Sequence, residues 1–145
     1  MRSLKRAGLA LGTMALLATT TAGTANAAPS SFDVVVQHSS GVIVGHIQGN
    51  LAWSSSGRTV TFTNQTLAVK TDECVNVGYA GYQGNTLVAG PVGLDWVCES
   101  VPIADFSLST SVPGGIHQVN IQLTDSVHKN KASKACRKTD SVCRP

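Results

Sequence analysis

Between residues 106 and 124 the chain alternates apolar and polar side chains with a period of two, and that alternation confines it to strands. His117, Val119, Ile121 and Leu123 interleave with Gln118, Asn120, Gln122 and Thr124. An extended backbone therefore presents one largely apolar face and one amide-rich, wet face. Phe106, Leu108, Thr110 and Val112 repeat the pattern, and Pro113-Gly114-Gly115 between the two runs reads as a turn. The two runs are expected to pair as an antiparallel hairpin.

The earlier runs behave alike. Phe32, Val34 and Val36 alternate before a His38-Ser39-Ser40-Gly41 break, and Val42 to Val44 continues through Ile47 towards Leu51 and Trp53. Ser54-Ser55-Ser56-Gly57 is a turn, and Arg58 to Thr63 follows it. Val60 and Phe62 are even-numbered whereas Leu67 and Val69 are odd, a phase shift that predicts a bulge or a break around Asn64-Gln65. Val75, Val77 and Tyr79 form another run, which Gln83-Gly84-Asn85 turns into Leu87 to Val92. No stretch repeats apolar residues at helical spacing. Seven to eight short strands with a turn signal about every ten residues predict an all-β fold, an antiparallel β-sandwich of immunoglobulin-like or related Greek-key form. Trp53, Phe62, Trp96 and Phe106 are the expected aromatic centre of its core. Residues 126–145 are polar and lysine-rich without alternation, and read as a loop-like tail.

The first 27 residues have a different character. Arg2, Lys5 and Arg6 precede an Ala/Leu-rich stretch from Ala7 to Ala18, and Ala25-Asn26-Ala27 is a small-x-small cleavage site. Together they read as a helical signal peptide cleaved before Ala28, too short in its apolar part for a retained transmembrane helix. The expected organisation is residues 1–27 as signal peptide, 28–128 as sandwich and 129–145 as a basic, disulfide-looped tail. The mature protein would be secreted, with no membrane anchor after processing.

Removing the leader also removes the net charge of +3. What remains is formally neutral but divided. Residues 28–128 set Arg58 and Lys70 against seven acids, a net of −5. Residues 129–145 set Lys129, Lys131, Lys134, Arg137, Lys138 and Arg144 against Asp140, a net of +5.

Cys74, Cys98, Cys136 and Cys143 are an even set in a short exported chain, which reads as two disulfides. Three pairings are open. The small entropy lost in closing a short loop favours Cys136–Cys143, which leaves Cys74–Cys98. A zinc site would bring Cys-x-x-Cys or clustered histidines at tight spacing, and neither is present.

Taken in order, the "GRTVTF" run, the cysteine of the Tyr-bearing segment Cys74 to Tyr79, Cys98, "FSLSTSVPGGIHQVNIQL" and a late cysteine make up a pattern. Over about residues 40–136 it resembles the small secreted, disulfide-bearing β-sandwich proteins of actinomycetes. The resemblance implies a sandwich with disulfides and supplies no catalytic residues. The Cys136–Cys143 loop falls outside the pattern.

Chemistry is hard to find. There is no Gly-x-Ser-x-Gly elbow, no His-Glu-x-x-His and no phosphate-cradling glycine loop. His117 reads as a packed or rim histidine, and Asp125 and Asp140 as a solvated charge face beside the lysines. No enzyme, metal or cofactor is expected. The leading expectation is a non-enzymatic binding or structural module at the cell exterior. Lys129, Lys131, Lys134, Arg137 and Lys138 would favour an anionic cell-surface polymer, with an extracellular protein as the other class of partner. A second reading is serine-protease inhibition. The loop from Cys136 to Cys143 resembles the reactive loop of Bowman-Birk inhibitors in its Cys-x-Lys-Thr start, which would make Lys138 the specificity residue and Thr139 its neighbour. It is one residue shorter and lacks their prolines. A small-ligand carrier is the third reading.

Overall fold

The structure, a computed structural model, describes residues 28–127 and 129–145. The expected signal peptide lies outside these residues, as does His128.

Among the described residues nine strands follow one another: β1 (Ser31–Gln37), β2 (Ile43–Trp53), β3 (Thr59–Val69), β4 (Val75–Gln83), β5 (Thr86–Val97), β6 (Val101–Ile103), β7 (Phe106–Ser109), β8 (Gln118–Asp125) and β9 (Lys131–Arg137). They make two antiparallel sheets packed face to face. One runs β1-β2-β3-β6, with β7 also paired to β3, and the other runs β5-β4-β8-β9. The alternation explains the layering. Val34 and Val36 of β1, Val60 and Phe62 of β3, Val75, Val77 and Tyr79 of β4, and Val119, Ile121 and Leu123 of β8 all lie buried between the sheets.

The bulge falls where the phase shift places it. Gln48 of β2 pairs with Thr66 and Asn50 with Thr63, so β3 advances three residues while β2 advances two. Asn64 takes the left-handed conformation at φ 51°, which asparagine tolerates better than most residues, and its N–H donates to Asp105 Oδ1 at 3.1 Å. Before the bulge Val60 and Phe62 face inward; after it Gln65 and Leu67 do. Gln65 is thereby buried, and its Oε1 accepts a hydrogen bond of 2.7 Å from the Tyr79 hydroxyl of the opposite sheet. Burial also pushes the Tyr79 hydroxyl pKa well above its ordinary value of 10.0.

Four expectations are corrected. First, the runs around Pro113-Gly114-Gly115 do not pair with each other, because β7 joins β3 in one sheet and β8 joins β4 in the other. The chain crosses between the sheets instead. Gly115, at φ 75°, lies so close to the Gly57 carbonyl that a Cβ there would stand 2.6 Å from it, and the Ile116 N–H donates to that carbonyl at 2.8 Å. Second, the tail is not all loop, and it supplies the ninth strand. β9 pairs along the whole of β8 from Gln118↔Arg137 to Thr124↔Lys131. As an edge strand it needs little apolar surface, which Ala132 and Cys136 provide, and its outer edge is partly covered by the returning C-terminus, where Ala135 bridges Arg144. Third, the aromatic centre is Phe32, Phe62, Tyr79 and Phe106. Phe62 lies 4.9 Å from Phe106, 5.1 Å from Tyr79 and 6.0 Å from Phe32 between ring centroids. Trp53 is at the margin of the core, and Trp96 is 47% exposed because a register shift opposite Val75–Val77 takes this end of β5 out of alternation. Fourth, Asp125 is buried, and its Oδ2 accepts from the Asn130 N–H at 2.9 Å across the β8–β9 turn.

The Tyr79–Gln65 bond generates a test. Tyr79→Phe leaves the Gln65 carbonyl buried without its donor, and the expected loss is about 1–3 kcal/mol in denaturant unfolding. Because the native hydroxyl keeps its proton where the unfolded one ionises, wild-type stability should also fall as pH rises past about 10. That contribution should be absent in the variant.

Candidate functional site

Four segments that are distant in sequence meet at one end of the second sheet. They are the β4–β5 turn at Gly84-Asn85, the Pro113–Gly115 turn, the entry to β8 at His117 and Gln118, and the exit from β9 at Arg137, Lys138 and Thr139. Between them lies a groove of about 600 Å³.

Hydrogen bonds hold its walls together. His117 N–H donates to Tyr82 O at 2.8 Å and His117 O accepts from Lys138 N–H at 2.9 Å, so one residue ties β4 to the C-terminal loop. Gln83 Nε2 donates to Pro113 O at 2.8 Å, joining the two turns. Arg137 Nε donates to Gln118 Oε1 at 2.9 Å, which fixes the plane of the guanidinium while its other N–H groups stay available. The Cys136–Cys143 disulfide folds the chain back immediately after the strand, with Cys136 fully buried. The second disulfide is Cys74–Cys98, at the far end of the same sheet where Val75 pairs with Val97.

The electrostatics of the groove are one-sided. Arg137, Lys138 and His117 line it with amides, glycines and Thr139, and no carboxylate is among the lining residues. The nearest acid in sequence, Asp140, is engaged by Arg144 Nε at 3.3 Å. Such a site offers hydrogen-bond donors and positive charge to an anion without a competing carboxylate.

No protein-family model, curated protein or solved structure matches the chain.

The other basic residues are not gathered there. Lys134 points to the opposite side of β9, into a second hollow of about 520 Å³ with Asp33, Gln48, Asn50 and Asn64. Lys129 Nζ stands 4.6 Å from the centre of the Trp96 ring, a cation–π contact. Lys131 is exposed at the start of β9. Of the five tail cations singled out from sequence, only Arg137 and Lys138 share the groove. The contribution of Gln118, Asn85 and the rim histidine His117 was hidden, because the turns that carry them are recognisable locally whereas their meeting in space is not.

Lys138 does not project. Its Nζ lies 2.9 Å from where a Cβ on Gly57 would stand, so the side chain is laid across the β2–β3 turn. Among the described residues no group of three or more histidines, cysteines or acids could hold a metal ion, and His46 and His117 hydrogen-bond no serine hydroxyl. Also among them, no helix is long and apolar enough to cross a membrane.

The two disulfides close loops of unequal length, with sequence separations of 24 and 7. On chain-entropy grounds, replacing Cys74 and Cys98 by Ala should cost about 3.5 kcal/mol and replacing Cys136 and Cys143 about 2.5 kcal/mol. Urea unfolding of the two variants checks the order. The second variant should in addition lose the groove and with it retention on an immobilised polyanion.

Proposed function

We propose that the protein is a secreted, non-enzymatic binding module that holds an anionic polymer at the cell exterior. The carrying observation is the carboxylate-free groove in which Arg137, Lys138 and His117 converge. Two disulfides and the leader-like first 27 residues support an oxidising, extracellular setting. A polymer is favoured over a small anion because a second cation, Lys131, stands on the same outward row of β9 as Arg137, beyond the groove. From Arg137 to Lys131 the outward positions of β9 run roughly 20 Å, and Lys129 follows in the turn. The acidic remainder of the body confines a polyanion to this edge and orients its approach.

The inhibitor reading has less in its favour. A specificity residue must stand clear of the surface to enter a protease pocket, and Lys138 lies along Gly57. The arrangement suits a ligand lying in the groove.

Retention on immobilised polyphosphate tests the proposal. The affinity should fall linearly with the logarithm of salt concentration, and Arg137→Gln with Lys138→Gln should flatten the slope by about 0.7 for each charge removed. Retention indifferent to salt, or unchanged in the double variant, would contradict it.

A further inference from the structure

The groove opens onto the outer face of the β5-β4-β8-β9 sheet, and that face is chemically unlike the rest of the molecule. The pairing of β8 with β4 and β9 sets its outward residues in four cross-strand rows, led by Gln118, Asn120, Gln122 and Thr124. None of the twelve positions in those rows is acidic, although the body as a whole is. The β4 neighbours of Asn120 and Gln122 are Ala80 and Gly78, and a Cβ on Gly78 would meet nothing within 4 Å. The middle of the sheet is therefore a shallow trough floored by small residues with amides standing beside it.

The amides are ordered in advance. Arg137 Nε donates to Gln118 Oε1 at 2.9 Å, Gln118 Nε2 donates to Asn120 Oδ1 at 2.6 Å, and Gln122 Nε2 donates to Thr124 Oγ1 at 3.1 Å. Among the described residues this leaves Asn120 Nδ2 as an unused donor and Gln122 Oε1 as an unused acceptor on one strand face. Aromatic rings bracket the ladder. Tyr82 is half-buried beside Gln118, and Trp96 is 47% exposed near the Thr124 end, where Lys129 reaches it.

We infer that the polymer is an acidic polysaccharide lying along this face, with its sugar hydroxyls on the amides of β8 and its acid groups on Arg137, Lys131 and the groove. This inference rests on the anion-binding reading and specifies its ligand. The reason is hydrogen-bond complementarity. A sugar hydroxyl both donates and accepts, so adjacent hydroxyls match a face that offers both an amide N–H and an amide carbonyl. A polyphosphate backbone only accepts, and would set its oxygens against Gln122 Oε1. Tyr82 and the part of the Trp96 ring that Lys129 leaves uncovered add a surface suited to the C–H faces of pyranose rings, because the π-face is the negative pole of the ring quadrupole. The length also suits a polymer: from Gln118 to Thr124 the ladder spans roughly 20 Å, room for several sugar units.

The test is affinity electrophoresis of the full chain, disulfides intact, in gels containing polygalacturonate or polyphosphate. Asn120→Ala with Gln122→Ala should weaken retention by polygalacturonate about tenfold, the scale of two lost hydrogen bonds, and change retention by polyphosphate less than about twofold. Gln122→Glu, nearly identical in shape and on the exposed face, should repel polygalacturonate and gives a second reading if the alanine variant folds poorly. Retention by polyphosphate alone, or polygalacturonate retention untouched by both variants, would overturn the polysaccharide assignment and leave the groove as an anion site. Retention by neither polymer would overturn both.

Discussion

The pairing of β9 with β8 is the constraint on which the rest of the site depends. It converts a lysine-rich C-terminal segment into the edge of a sheet, and the two-residue period of a strand then decides where each charge goes. Ala132, Lys134 and Cys136 turn towards the seam between the sheets, while Lys131, Ser133, Ala135 and Arg137 turn out. Cys136 is the anchor. It is fully buried, and its disulfide to Cys143 closes the turn that follows Arg137, where the Asp140 N–H donates to the Arg137 carbonyl. Lys138 N–H continues the β8–β9 ladder to the His117 carbonyl, and the Lys138 side chain lies against Gly57.

The same edge reconciles two opposing demands. A sheet edge with free backbone groups invites pairing with another chain, and lysine is a common guard against it. Here part of the edge is taken by the bridge from Ala135 to Arg144, and Arg137 and Lys131 turn their charges towards the groove and along cross-strand rows of β4, β8 and β9 that carry no acid. The opposite charge of the remaining body gives the molecule a polarity that net charge conceals, since the two halves cancel once the leader is set aside.

Most of the layering was legible in the residues, because inward positions of a sandwich strand must be apolar and the alternation records them. The irregularity at Asn64-Gln65 was legible for the same reason, as a bulge or a break, and the continuous pairing of β2 with β3 makes it a bulge. Loop length favoured, without fixing, the cysteine pairing that the structure shows. What was not legible was any choice between two partners of equal local merit. A turn such as Pro113-Gly114-Gly115 suits a hairpin and a crossing between sheets equally well, and the close approach to Gly57 that selects the crossing comes from a residue over fifty positions earlier. β9 was hidden because an edge strand needs few apolar residues, so its pattern is nearly that of a solvated loop. The groove was hidden with it, being made of turns whose positions depend on both.

The central claim is that the groove between Gly84-Asn85 and Arg137–Thr139 receives the anionic group of the ligand. Titrating the isotopically labelled protein with tripolyphosphate, followed by amide chemical shifts, tests it most directly. The account predicts saturable shifts confined to Gly84, Asn85, Gly114, His117, Gln118 and residues 137–139, collapsing as salt is raised. Shifts centred instead on the Lys134 hollow, or none at concentrations that saturate retention, would contradict it.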